Sequence, residues 1–278
     1  AVPGVVGLRL SPFMQTSTDS VGRYRLLEPE EPPAFLERGR QAQSSFLIVV
    51  DHASSRIPKR LGNLGLPSGE LQRHIAWDIG ALAVAREVTC LLDAVLLAQN
   101  YSRLVIDCNR DPGVGSSIPR SSEGTKIPGN LDLSEQDRLI RRTEIFDPYH
   151  DRLRGLLDER SAAGRPTILV AQHSMTHVYL GVARAMHAAV LYNRDRRFAS
   201  LVLDCLRREP QLVVAENEPY GVSEVDDFTI PRHAEARGLP CVGIEVRQDL
   251  VAHESGQKQW AQRIARALQS AEGSLPKS

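Results

Sequence analysis

Seven short apolar runs recur along the chain, separated by longer stretches that mix apolar and charged residues. They are Phe46-Leu-Ile-Val-Val50, Ala94-Val-Leu-Leu-Ala98, Leu104-Val-Ile-Asp-Cys108, Thr167-Ile-Leu-Val-Ala171, Ala188-Ala-Val-Leu-Tyr192, Leu212-Val-Val-Ala215 and Cys241-Val-Gly-Ile-Glu-Val246. None alternates apolar with polar, so each predicts a strand covered on both faces, the pattern of a mostly parallel sheet held between helical layers. Apolar residues at helical spacing predict helices over residues 70–92, 134–163, 195–208 and 257–270. Ser134-Glu-Gln-Asp137 reads as a capping-box start and Gly164-Arg-Pro166 as a stop. The expected fold class is α/β: a single three-layer domain with a mostly parallel central sheet and helices on both faces. Residues 1–45, rich in Pro, Gly, Ser and charge, read as an irregular N-terminal arm, and residues 46–278 as the α/β domain. The segment 111–130 has no period and is long for a connection, which predicts a functional or mobile loop.

Composition narrows the partners. The chain has 278 residues, 42% of them hydrophobic, enough for a sizeable core. Lys+Arg and Asp+Glu both number 34, so the charge balance recommends neither nucleic acid nor an anionic membrane, and a small-molecule partner is expected. The four cysteines lie far apart in sequence, which predicts free thiols in a reducing, cytoplasmic setting. No apolar stretch reaches the roughly 20 residues of a membrane span, so no membrane partner is expected.

Parallel sheets bind ligands at the carboxyl ends of their strands, where loops converge. The residues at those ends are Asp51-His52 after the first run, Asn109-Arg110 after the third, His173-Ser174 after the fourth, and Glu245 within the last. Imidazoles for a divalent cation, a carboxylate base and a guanidinium for a substrate anion are the ingredients of a metal hydrolase site. Each also has a bland reading. A strand-end histidine can be a hydrogen-bonded structural residue, Glu245 can pair with Arg247 two positions along the same face, and Arg110 can cap Asp107 or Asp111. His150 reads as a satisfied helix histidine, while His177 and His233 stay open. The cluster Asn193-Arg-Asp-Arg-Arg197 is either a solvated helix start or part of a pocket rim. Cys108 makes a poor nucleophile, because no helix N-terminus is in evidence to lower its pKa.

A set of short motifs carries a resemblance. Val50-Asp-His-Ala-Ser-Ser-Arg-Ile-Pro58, His74-Ile-Ala-Trp-Asp78, Tyr101-Ser-Arg-Leu-Val-Ile-Asp-Cys-Asn-Arg110, Ile145-Phe-Asp-Pro-Tyr-His150, Gln172-His-Ser174, Asn217-Glu-Pro-Tyr220 and Gly243-Ile-Glu-Val-Arg-Gln-Asp249 occur in the order found in the N-formylglutamate amidohydrolase family. That family is itself distantly similar to zinc carboxypeptidases and aspartoacylases. The resemblance implies a zinc-exopeptidase-like fold and metal-dependent hydrolysis of the amide of a small N-acyl amino acid, as in amino-acid catabolism such as histidine degradation. It implies a divalent metal, Zn²⁺, with Glu245 as catalytic base, Asn109 and Arg110 on the substrate, and Arg232 and His233 in a substrate-covering region. The first two metal ligands are His52 and His173. The chain departs from the carboxypeptidase pattern in having Ser55 where a ligating glutamate stands three residues after the first histidine, and a hydroxyl is a poor substitute for an anionic ligand. Asp78 is the candidate third ligand, with His74 at i−4 on an expected helix to orient or replace it. The missing glutamate also supports a second reading, a degenerate member that binds an N-acyl amino acid or a peptide end without cleaving it. A third is a peptidase or amidase acting on larger substrates through an open groove. Gln172 stands where an acidic residue tends to precede His-Ser, so the acyl group and the amino acid stay open.

Overall fold

A computed structural model describes residues 25–276. In chain order its elements are strands β1 (Phe35–Arg38) and β2 (Phe46–Val50), helix α1 (Ala81–Leu92) and strand β3 (Val95–Gln99). The hairpin β4 (Ser121–Ser122) and β5 (Thr125–Lys126) follows, then α2 (Glu135–Arg141), a π turn (Arg142–Phe146) and α3 (Asp147–Ala162). Next come β6 (Ile168–Met175), the hairpin β7 (Val178–Tyr179) and β8 (Val182–Ala183), and β9 (Ala188–Leu191). The chain ends with α4 (Arg197–Arg207), β10 (Val214–Glu216), a second π turn (Ile230–Ala234), β11 (Cys241–Arg247) and α5 (Glu254–Ser274).

Among the described residues seven strands form one sheet in the order β1-β3-β2-β6-β11-β9-β10. Strands β3, β2, β6 and β11 run parallel, as do β9 and β10, while β1 and β9 join the sheet antiparallel. The sheet is thus mostly parallel, as the unbroken Val/Ile/Leu runs predict. On one face Ile48, Val50, Val170, Val242 and Ile244 pack under α1, α4 and α5. On the other, Leu47, Val49, Leu169 and Ala171 pack against Ile145, Tyr149, Leu153 and Leu157. Each such buried side chain contributes about 1.5–3 kcal/mol of transfer free energy. Among the described residues no helix is long and apolar enough to cross a membrane.

Three expectations differ from the structure. The segment read as an irregular arm contributes an edge strand at Phe35–Arg38, while residues 1–24 of that arm lie outside the described residues. The run Leu104–Cys108 is buried but is no strand. Its backbone polar groups are met by loops and side chains instead of a ladder. Leu104 C=O accepts from Asn130 Nδ2 at 2.7 Å, Val105 C=O from Arg141 Nη1 at 3.1 Å, and Asp107 N–H donates to Ser117 C=O at 2.7 Å. Hydrophobicity reports burial, and a buried loop with enough polar partners satisfies it as well as a strand does. The helix expected over 70–92 begins only at Ala81. Gly80 ends the preceding turns at φ +80°, where a Cβ would lie 2.4 Å from Val251 C=O, so only glycine fits there and the chain reorients before α1 starts.

Candidate metal centre

The site forms at the carboxyl ends of β2, β6 and β11. Because β6 and β11 pair in parallel register, Glu245 lies directly beside His173 and Gly243 beside Ala171, all on one side of the sheet. His52 stands two residues past the end of β2. Asp78 comes from the turn before α1, and its backbone N–H donates to His52 C=O at 2.9 Å, tying the two loops together. Asp78 therefore reaches the site from a loop. His74 shares no helical face with it and instead places Nε2 3.3 Å from Glu123.

His52, Asp78 and His173 offer ligand atoms that all lie within 4.8 Å of one another, and all three are buried. The two rings stand 5.2 Å apart between centroids. Asp78 Oδ2 is 2.8 Å from His173 Nδ1 and 3.4 Å from His52 Nδ1. Behind this cluster a further layer sets the rings. Asp107 Oδ1 takes a hydrogen bond from His52 Nε2 at 2.7 Å, and its Oδ2 accepts from Arg103 Nη2 at 2.7 Å. Arg103 also approaches Asp78 at 3.7 Å. Asp51 Oδ1 accepts from Tyr149 and Thr229 hydroxyls, and its Oδ2 lies 3.6 Å from His173 Nε2. A carboxylate on the far nitrogen of a histidine fixes its tautomer and bares the other lone pair, the arrangement found behind metal-bound imidazoles.

Three buried polar atoms in this cluster have no hydrogen-bond partner among the described residues: His52 Nδ1, Asp51 Oδ2 and Glu245 Oε2. Leaving such atoms bare costs about 1–3 kcal/mol each, and native interiors rarely tolerate it without a ligand or ion. Two imidazole nitrogens and one carboxylate oxygen suit a divalent zinc-like cation. The residues present therefore fit the group that the sequence implies. Without a cation, burial and the Arg103 charge push His52 down, yet Asp107 and Asp78 together hold its pKa above the ordinary value. Burial likewise opposes protonation of His173, but Asp78, Glu245 and Asp51 raise it to about 10. The carboxylates demand positive charge at this point.

Glu245 has one oxygen held and one free. Its Oε1 accepts from the Tyr220 hydroxyl at 2.6 Å, and burial raises its carboxyl above the ordinary range, partly countered by His173. It does not pair with Arg247, which instead binds Asp249 at 2.8 Å and the carbonyl groups of residues 184–186. Asn109 accepts from the backbone N–H groups of Phe228 and Thr229 and donates to Asp227, so it clamps the 226–229 loop. Arg110 binds the Asp226 backbone carbonyl and lies 3.6 Å from its carboxylate. Glu245, Tyr220, Asn109 and Arg110 line one cavity of about 550 Å³ together with His52, Asp78 and His173, and its wall includes Ser116, Pro119 and Ser122 from the long 111–130 segment.

The cavity does not include Arg232 or His233. Arg232 is largely exposed beside Asp111 at 3.6 Å. His233 is buried in the second π turn, its Nε2 2.9 Å from His150 Nδ1. The cluster 193–197 also stands away from the site. β9 runs antiparallel to β11, so its carboxyl end points away from the carboxyl ends of β2, β6 and β11, and there Asn193, Arg194 and Asp195 bind Glu235. Sequence reasoning passed over Asp51, Arg103, Asp107 and Tyr220 as site residues. The available signals were the adjacency of Asp51 to His52 and the Arg103/Asp107 spacing.

Residues 44–252 match the N-formylglutamate amidohydrolase family. The chain belongs to that family. It is 39% identical to gene product Atu2144 from Agrobacterium tumefaciens, whose crystal structure superposes with a TM-score of 0.88, covering 91% of this chain and 100% of that one. A second structure, of N-formylglutamate amidohydrolase from Ralstonia eutropha JMP134, shares the fold at 20% identity and a TM-score of 0.64, with 87% of this chain and 98% of that one covered. No curated protein matches the chain. Family membership accounts for the ordered motifs, and the His52–Asp78–His173 cluster falls wholly inside the matched span.

Proposed function

We propose that this family member is a metal-dependent hydrolase of small N-acyl amino acids, N-formylglutamate-like, releasing the acyl group from the amine. One observation carries the reading: His52, Asp78 and His173 converge within 4.8 Å in the same cavity as a buried glutamate with one unbonded oxygen. His52, Asp78 and His173 would hold a divalent cation, which when bound would supply Lewis-acid polarisation of the acyl carbonyl and a more acidic water. Asp78 would supply the anionic donor that Ser55 does not, making three protein donors without a glutamate after His52. Glu245 takes the water's proton on Oε2 and passes it to the leaving amine. Its burial makes it a stronger base than an exposed carboxylate, and Tyr220 fixes its other oxygen so that Oε2 faces the reacting atoms. Arg110 grips the substrate's α-carboxylate with a planar pair of donors, held in place by the loop that Asn109 clamps. The loop-walled cavity favours a small substrate over a polymer.

The test is metal analysis of the purified protein together with deformylation assays on a panel of N-formyl amino acids, repeated for Glu245→Gln. The variant keeps its metal and loses turnover by roughly 10²- to 10⁴-fold. Hydrolysis by Glu245→Gln at the parent's rate removes Glu245 from the reaction.

A further inference from the structure

Among the described residues three arginines line the cavity: Arg103, Arg110 and Arg184. Arg103 is committed to Asp107 and Asp78, and Arg110 lies beside Asp226. Arg184 has no carboxylate within salt-bridge distance among the described residues. Its Nη1 donates to Thr176 C=O at 3.3 Å, its guanidinium lies 5.3 Å from the centre of the Tyr179 ring, and its Nε and Nη2 donate to no described residue.

The side chain is nonetheless carried on a fixed backbone. Arg184 directly follows β8, its N–H donates to His177 C=O at 2.9 Å, and its own C=O accepts from Arg247 Nη1 at 3.0 Å. Arg247 is locked in turn by Asp249. A half-buried guanidinium with two donors to spare, no counter-ion and a pinned main chain is a preorganised seat for an anion. A planar fork of this kind matches a carboxylate at two points.

We propose that Arg184 seats a second anionic group of the substrate, the side-chain carboxylate of an N-acylated acidic amino acid, and so sets the preference between acidic and neutral side chains. The inference rests on the hydrolase reading for what the cavity binds, with Arg110 taking the α-carboxylate that every N-acyl amino acid carries. Arg184 answers only to the side chain, so the two arginines divide affinity from selectivity.

The experiment compares N-formyl-L-glutamate with its neutral isostere N-formyl-L-glutamine, on the metal-loaded parent and on Arg184→Met, Arg184→Lys and Arg110→Met. The readout is the ratio of kcat/KM for the two compounds. Arg184→Met lowers that ratio by about tenfold to hundredfold, the worth of one charge-assisted contact, chiefly through KM. Arg184→Lys restores part of it, because a point charge remains without the fork. Arg110→Met slows both compounds together and leaves the ratio in place. An unchanged ratio in Arg184→Met overturns the assignment, as does an equal kcat/KM for the two compounds in the parent. Calorimetric binding of the same two compounds separates this inference from the reading beneath it. A parent that binds glutamate over glutamine but cleaves neither, with the preference lost in Arg184→Met, keeps the seat and removes the hydrolase. A parent that binds neither removes both.

Discussion

The domain buries two histidine pairs with nearly the same ring separation, and they have opposite chemistry. His52 and His173 stand 5.2 Å apart, and His150 and His233 stand stacked at 5.1 Å. The first pair faces Asp51, Asp78, Asp107 and Glu245, which hold its protons on. The second is wedged among Phe146, Tyr149 and Phe228. There burial, with Arg154 and Arg237 nearby, pushes His233 down to about 4, and burial together with His233 holds His150 well below its ordinary value. Burial alone therefore does not make a metal site. What surrounds the imidazoles decides whether they attract a cation or repel one.

The strongest way to break this contrast is to remove the carboxylate at the centre of the first pair. Asp78→Asn keeps the shape and deletes the charge that both rings face. The purified variant is expected to lose bound metal and to lose turnover by at least about a thousandfold, since changes one layer further out already cost 10- to 100-fold in metal affinity or activity. Elemental analysis beside the deformylation assay checks this, and full metal content in Asp78→Asn excludes Asp78 as a ligand.

Acid should act first on the second pair. A histidine whose folded pKa lies at about 4 stays neutral in the folded protein while the unfolded chain takes up its proton below about 6.5. Unfolded chains then bind more protons than folded ones between pH 6.5 and 4, so stability falls as pH drops through that window and levels off beneath it. At about 1.4 kcal/mol per pH unit, His233 alone contributes on the order of 3 kcal/mol, and His150 acts in the same direction. Denaturant midpoints at pH 7 and pH 4.5 measure the loss, and His233→Gln, which cannot titrate, is expected to show a smaller one. Equal losses in parent and variant would place the acid-sensitive group elsewhere.

The same contrast explains how much the sequence discloses. Unbroken apolar runs gave the sheet, because strands covered on both faces must be apolar throughout. His52, His173 and Glu245 stood out because they interrupt or end such runs. Asp78 was legible only through its motif, and the expected helix around it was wrong because the glycine turn before α1 answers to a contact with Val251, more than 170 residues away. His233 could not be sorted from His52 by any local pattern. Phe228 and Arg237 lie nearby in sequence, but His150 and Arg154 arrive from α3 and Phe146 from the π turn before it. Arg184 was invisible for a related reason: having no carboxylate partner is a property of the assembled cavity.

The finest test of the contrast leaves both histidine pairs in place and alters only the charge near one of them. Arg154 sits one turn beyond His150 on α3, is half exposed, and pairs with Asp151 at 2.7 Å. After burial, it is the next influence that lowers His233. Arg154→Gln removes that charge without touching the aromatic packing. His233 then rises toward its ordinary value, the gap between folded and unfolded protonation narrows, and the loss of stability between pH 7 and pH 4.5 becomes slightly smaller than in the parent. Solvent screens a half-exposed charge, so the change is the smallest of those proposed here. Denaturant midpoints at the two pH values read it, with ring-proton titration by NMR as the direct measure. If the acid-induced loss and the titration of His233 match the parent's, the Arg154 charge plays no part in keeping this pair neutral, and what separates the two histidine pairs is the carboxylates beside the first against aromatic burial and Arg237 beside the second.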